Sequence, residues 1–167
     1  MPKCLVLELG ADVNFRSQEG CTPLYNAAYN GHVDMTRCLV KDLGADLNLP
    51  AQNRYTPVFI ASQGSHLDVV VYLVEELGAD VNLVVVDQHE STTLFVAVYI
   101  GHLALVRCLV TRLGVDINKV KKNGATPLVV AAQKGDFPMV RCLVKNLGAD
   151  VNKATHNGYT PLMEAVL

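Results

Sequence analysis

The feature that most limits what this chain can fold into is its internal repetition. The segment Leu9-Gly10-Ala11-Asp12-Val13-Asn14 returns at 43–48, 77–82, 113–118 and 147–152, with small changes in the second and fourth copies. The glycines at 10, 44, 78, 114 and 148 stand 34, 34, 36 and 34 residues apart. A second marker keeps the same register: Thr22-Pro23-Leu24, Thr56-Pro57-Val58, Thr92-Thr93-Leu94, Thr126-Pro127-Leu128 and Thr160-Pro161-Leu162. A third is Arg37-Cys38-Leu39-Val40, echoed at 107–110 and 141–144. A unit this short cannot bury an apolar face alone, so the copies must stack and share a continuous core.

Each unit reads as two short helices and a connecting finger. The threonine suits a helix N-cap, and proline suits the next position because its missing N–H has no partner in the first turn. A first helix over 23–30 follows, with Ala27 and Ala28 small enough for close packing. Gly31-His32 makes a tight turn, the glycine tolerating positive φ. A second helix over 33–43 carries Met35, Cys38, Leu39 and Leu43 on one apolar face. Gly44 ends it, and Gly-Ala-Asp-Val-Asn leads into an extended hairpin.

The Thr-Pro-Leu, Ala-Ala, Gly-His and Gly-Ala-Asp-Val-Asn elements together resemble the ankyrin repeat over the full length. That resemblance implies an all-α solenoid of helix-turn-helix units with projecting β-hairpin fingers. It implies a single domain with a half repeat at 1–16, full repeats at 17–50, 51–86, 87–120 and 121–154, and a half repeat at 155–167. It also implies a concave surface of fingers and first helices that grips protein partners.

Departures from the family pattern are legible too. The period exceeds the usual value of about 33, because Gly31 to Gly44 holds one extra residue in the second helix. The histidine that commonly follows Thr-Pro-Leu is replaced by Tyr25, Phe59, Phe95, Val129 and Met163, so apolar packing is expected in its place. Ser65 stands at a turn-glycine position, just after Gly64. Arg54 and Glu90 replace the finger glycine found at Gly20, Gly124 and Gly158, and those two fingers are expected to bend differently. The third finger is two residues longer and reads Leu83-Val84-Val85-Val86.

Recurrence separates structure from function, because an active site occurs once. Asp12, Asp46, Asp80, Asp116 and Asp150 recur beside a turn and are expected to accept backbone N–H bonds there. Cysteines 4, 38, 108 and 142 share one position on the buried side of the second helix, as small core residues; Cys21 lies apart on a finger. His32, His66 and His102 sit at successive turns, too far apart for a shared metal, and Asp136 replaces them as an N-cap. No nucleophile–base pair, phosphate-binding loop or H-E-x-x-H motif is present, so neither catalysis nor a cofactor is expected. A net charge of −2 argues against nucleic acid or anionic membrane as partner. No apolar run approaches the roughly 20 residues of a membrane helix. Five cysteines without a C-x-x-C pair fit a reducing compartment, cytoplasm or nucleus.

The family's contact positions, carried over unit by unit, fall first on the fingers. They are Gln18, Glu19 and Cys21; Gln52, Asn53 and Tyr55; Gln88, His89 and Ser91; Lys122, Asn123 and Ala125; and His156, Asn157 and Tyr159. On the first helices they are Tyr29, Asn30, Gln63, Gly64, Tyr99, Ile100, Gln133 and Lys134. Four of the six tyrosines belong to this set, and tyrosine offers stiff amphipathic contact area. The leading expectation is thus a protein-binding module. A structural spacer in a longer array is the alternative, since neither end carries a polar capping repeat; an engineered repeat protein ranks last, given the irregular insertion. The stretches 1–9 and 161–167 read as complementary halves of one repeat, which raises the expectation of head-to-tail self-association.

Overall fold

A computed structural model describes residues 2–51, 54–83 and 91–166. The Thr-Pro signal starts helices as expected. The pairs are α1 (Pro23–Tyr29) with α2 (Val33–Arg37), α3 (Pro57–Gln63) with α4 (Leu67–Val71), α5 (Thr93–Ile100) with α6 (Leu103–Thr111), and α7 (Pro127–Gln133) with α8 (Phe137–Arg141). A last short helix, α9, spans Pro161–Glu164. The hydroxyls of Thr22, Thr56, Thr126 and Thr160 accept the N–H three residues on, at 3.1, 3.3, 3.2 and 3.4 Å. Each satisfies a donor that the first turn would leave bare. Thr92 departs from this: its backbone is extended like the others, yet its side chain makes no cap bond, and its buried hydroxyl has no partner.

The extra residue of the long period shows up in the winding of the second helices. α2 runs straight into a π-helical turn at Cys38–Asp42, α4 into one at Tyr72–Glu76, and α8 into one at Cys142–Asn146; Cys4–Glu8 is wound the same way. The turn at Gly31 and the break at Gly44 hold the ends of each segment, so an added residue is taken up by widening one turn. The closing bonds show the widening. Gly44 N–H reaches Val40 O at 3.2 Å and Ala45 N–H reaches Leu39 O at 2.8 Å. This is a Schellman cap with each bond lengthened by one residue. α6 stays α-helical to Thr111 and closes with two wide bonds, Leu113 N–H to Cys108 O at 3.0 Å and Val115 N–H to Leu109 O at 2.9 Å. The expected second helix is therefore present, with its last turn wound more loosely.

The chain divides into two compact units, residues 1–85 and 86–167. In unit 1, α1 packs on α3 and on α2, and in unit 2, α5 packs on α7 and α7 on α9. Leu24, Ala27, Leu39 and Ala45 form one cluster, with Val13, Val40, Leu43 and Leu47 packed against it. Leu39, Leu73, Leu109 and Leu143, one per second helix, are all buried. Removing side chains of this size from water is the main source of stability. Tyr25, Phe59, Phe95 and Val129, which stand where the family has histidine, are buried as expected, whereas Met163 is exposed. The expected apolar face needs two corrections. Met35 is 36% exposed although Val69, Leu105 and Met139 at the same repeat position are sealed. Of the cysteines only Cys142 is buried; Cys4 is exposed and the rest are half-buried.

The recurring aspartates do what their position suggested. Asp12, Asp46, Asp80, Asp116 and Asp150 each accept the N–H of the asparagine two residues on, at 2.8–3.0 Å. The asparagines add a link between repeats: Asn14 Oδ1 accepts the N–H of Asp46 at 2.8 Å, and Asn118 Oδ1 that of Asp150 at 2.9 Å.

The expected hairpin fingers differ in kind, because no strand is formed among the described residues. At 17–21, Gly20 N–H reaches Ser17 O at 2.8 Å and Ser17 N–H reaches Cys21 O at 3.0 Å. The same pair recurs at 51–55, 121–125 and 155–159. Each tip is a tight turn followed by a left-handed residue, closed by one bond pair and too short to extend into a ladder. Arg54 takes φ 62° where Gly20 takes 73°, so its tip closes like the others, against the expectation that it would bend differently. Glu90 and Val84 to Val86 lie outside the described residues.

Candidate functional site

The C-terminal ends of the first helices, and the finger tips that precede those helices in the chain, carry the residues singled out above. In unit 1, Gln18 and Glu19 are exposed on the first tip and Cys21 is half-buried. Tyr29 is 56% exposed at the end of α1, with Asn30 exposed beside it. Gln63 and Gly64 are exposed at the end of α3. Tyr29, Asn30, Gln63, Gly64 and His66 line one polar hollow of about 500 Å³. Tyr55 is half-buried, its ring 4.5 Å from that of Phe59. Gln52, Asn53, Gln88 and His89 lie outside the described residues.

His66 is the member of this hollow that sequence reasoning passed over, having read it as one rung of a turn ladder. Its Nε2 lies 3.0 Å from the carbonyl oxygen of Tyr29, to which it donates. This satisfies an acceptor that the end of α1 leaves open. The imidazole is flanked by two glycines. A Cβ at Gly31 would lie 2.5 Å from Nδ1, and one at Gly64 would lie 2.6 Å from Cδ2. Gly64 keeps an ordinary φ of −75° while Ser65 takes the left-handed φ of 63°. Glycine therefore stands at 64 to make room for His66, and the strained turn falls to Ser65. The displaced glycine was the one signal in the sequence. Two other turn positions act as N-caps, whereas His32 makes no cap bond: His102 Nδ1 accepts from Leu105 N–H at 3.1 Å, and Asp136 from Met139 N–H at 3.0 Å.

Unit 2 solves the same problem with a different side chain. Tyr99 is 61% exposed at the end of α5, and Ile100 beside it is 37% exposed. Lys134 donates to the carbonyl oxygen of Tyr99 and lies over its ring, 4.5 Å from the centroid. Gln133 donates to Glu164 at 2.9 Å. Lys122 and Asn123 are exposed on their tip, and His156, Asn157 and Tyr159 on the next. His156 N–H reaches Asn123 O at 3.0 Å, which joins the two tips. Two expected contact residues are buried: Ser91 is 9% exposed and Ala125 is 2% exposed. They directly precede the N-cap threonine, where a small side chain is covered by its surroundings. Tyr159, at the same position, is large enough to emerge.

Among the described residues no three His, Cys, Asp or Glu converge to hold a metal ion, and no helix is long and apolar enough to cross a membrane. A family model described as ankyrin repeats (3 copies) matches residues 2–84 and 92–167. No curated protein matches the chain.

Proposed function

Because this chain belongs to the ankyrin repeat family, whose members are generally protein-interaction modules, we propose that it binds a partner protein through its finger tips and first-helix ends. The observation that carries this reading is the treatment of Tyr29 and Tyr99. Each ring is exposed, yet each backbone carbonyl is held by a side chain of the following repeat, His66 or Lys134. An aromatic side chain on a fixed backbone loses little entropy on contact, which is what a binding anchor requires. The neighbouring residues Asn30, Gln63, Gln18, Glu19 and Asn123 are polar and exposed, suited to the rim of such a contact. The reading gives the chain no catalytic role. Its five free thiols support work in a reducing compartment, cytoplasm or nucleus.

The test is capture from a cell extract by the wild-type chain and by Tyr29→Ala/Tyr99→Ala. Both rings are exposed, so the variant is expected to fold. A partner held by wild type and lost by the variant supports the binding face. A partner held equally by both moves the contact elsewhere, and the absence of any partner favours a spacer role. Tyr55 is left intact in this test because its ring stacks on Phe59.

A further inference from the structure

Charge is divided unevenly along the chain. Of its 14 Lys and Arg residues nine fall in 86–167, whereas of its 16 Asp and Glu only six do. Within the described part of unit 2 the carboxylates are Asp116, Asp136, Asp150 and Glu164. All accept hydrogen bonds from their own chain: from the N–H of Asn118, Met139 and Asn152, and from the Gln133 amide. These donors are neutral, so the carboxylates keep their charge; the lysines are held in the same way. Lys134 and Lys153 donate to the carbonyl oxygens of Tyr99 and Asn118, and neutral acceptors leave an ammonium its full charge. Lys121 lies 4.8 Å from the Phe95 ring centroid, as Lys134 does over Tyr99 at 4.5 Å. Phe95 and Tyr99 are one turn apart on α5, their Cα atoms about 6 Å apart along the helix axis. Lys122 extends the row onto the exposed tip, where His156 of the next tip joins it through Asn123.

Resting on the binding face proposed above, we infer that the unit 2 part of it takes an acidic segment of a partner protein. Carboxylates of that segment lie against Lys122 and Lys134, and its apolar side chains lie on the exposed rings of Tyr99 and Tyr159. Lys134 is already ordered by its contacts with Tyr99, so little side-chain freedom remains to be lost on binding. A short acidic peptide fits better than a nucleic acid. The net charge of −2 over the whole chain gives no long-range attraction for an extended polyanion.

The test is selection of the full chain against a random dodecapeptide library, with fluorescence anisotropy on the recovered peptides. The expected pool is enriched in Asp and Glu. Lys122→Glu, at an exposed tip, is expected to weaken its binding about tenfold, added salt to weaken it in wild type, and Tyr99→Ala to weaken it at any salt. A pool without acidic enrichment, indifferent to Lys122→Glu but lost in Tyr99→Ala, overturns the acidic preference and leaves the binding face standing. No recovered peptide, or a pool indifferent to both variants, overturns both. A labelled thymidine oligonucleotide bound as tightly as the best peptide overturns the choice of a protein segment.

Discussion

Ser65 and Arg54 hold left-handed backbone, at φ 63° and 62°, in positions where glycine serves other repeats. An L side chain there costs about 1–2 kcal/mol. Ser65→Gly and Arg54→Gly are each expected to gain stability of roughly 1 kcal/mol, read as a higher urea midpoint at unchanged slope. A fall in both midpoints contradicts the strain. Gly64→Ala moves the other way, because its Cβ meets the His66 ring and frees the Tyr29 carbonyl. Capping gives a second contrast: Thr126→Val should cost about 1 kcal/mol, whereas Thr92→Val should cost far less, its hydroxyl having no partner. Equal costs at the two sites contradict that assignment. The caps were legible in the sequence because threonine, proline and the N–H they serve are neighbours in the chain. The role of His66 was not legible, because its acceptor lies 37 residues away. Nor was the burial of Ser91 and Ala125, which depends on what surrounds a position.

At the scale of the element, one inserted residue accounts for the π-helical turns. Repetition showed that the residue was extra and that it lay in the second helix. It did not show how the helix absorbs it, since hydrogen-bond register depends on what pins both ends. The account predicts that removing one exposed residue from such a turn restores an ordinary α-helical turn without disturbing the core. Deletion of Lys145, exposed within Cys142–Asn146, should preserve cooperative unfolding and shift Tm by only a few degrees. Leu143 and Ala149 stay in place on either side. Loss of cooperative folding on that deletion would show that the wide turn carries packing of its own. The finger tips were foreseen in position and misjudged in kind: the turn residues specify the bend, but one closing bond pair is too little to make strands.

For the whole molecule, repetition identified the family and pointed to the proposed face, while the chemistry of that face emerged from contacts between repeats. The exposed tyrosines are anchored by different side chains in the two units, His66 in one and Lys134 in the other. Spacing alone could not have paired them. Exposed apolar residues lie elsewhere too. Leu5, Leu7 and Leu9 are 44%, 68% and 70% exposed, and Leu162 and Val166 are 76% and 78% exposed. Residues 4–6 and 9–14 repeat the sequence of 142–144 and 147–152, and that likeness supports head-to-tail contact between chains, with mass rising on concentration in sedimentation as its test; a constant monomer mass contradicts it. The central claim, that the tips and first-helix ends are the binding face, is tested most directly by amide hydrogen exchange on the chain with and without its captured partner. The account predicts protection gathered at 17–21, 29–30, 63–66, 99–100, 121–125, 133–134 and 155–159. Protection gathered on the second helices, with these segments unchanged, would contradict it.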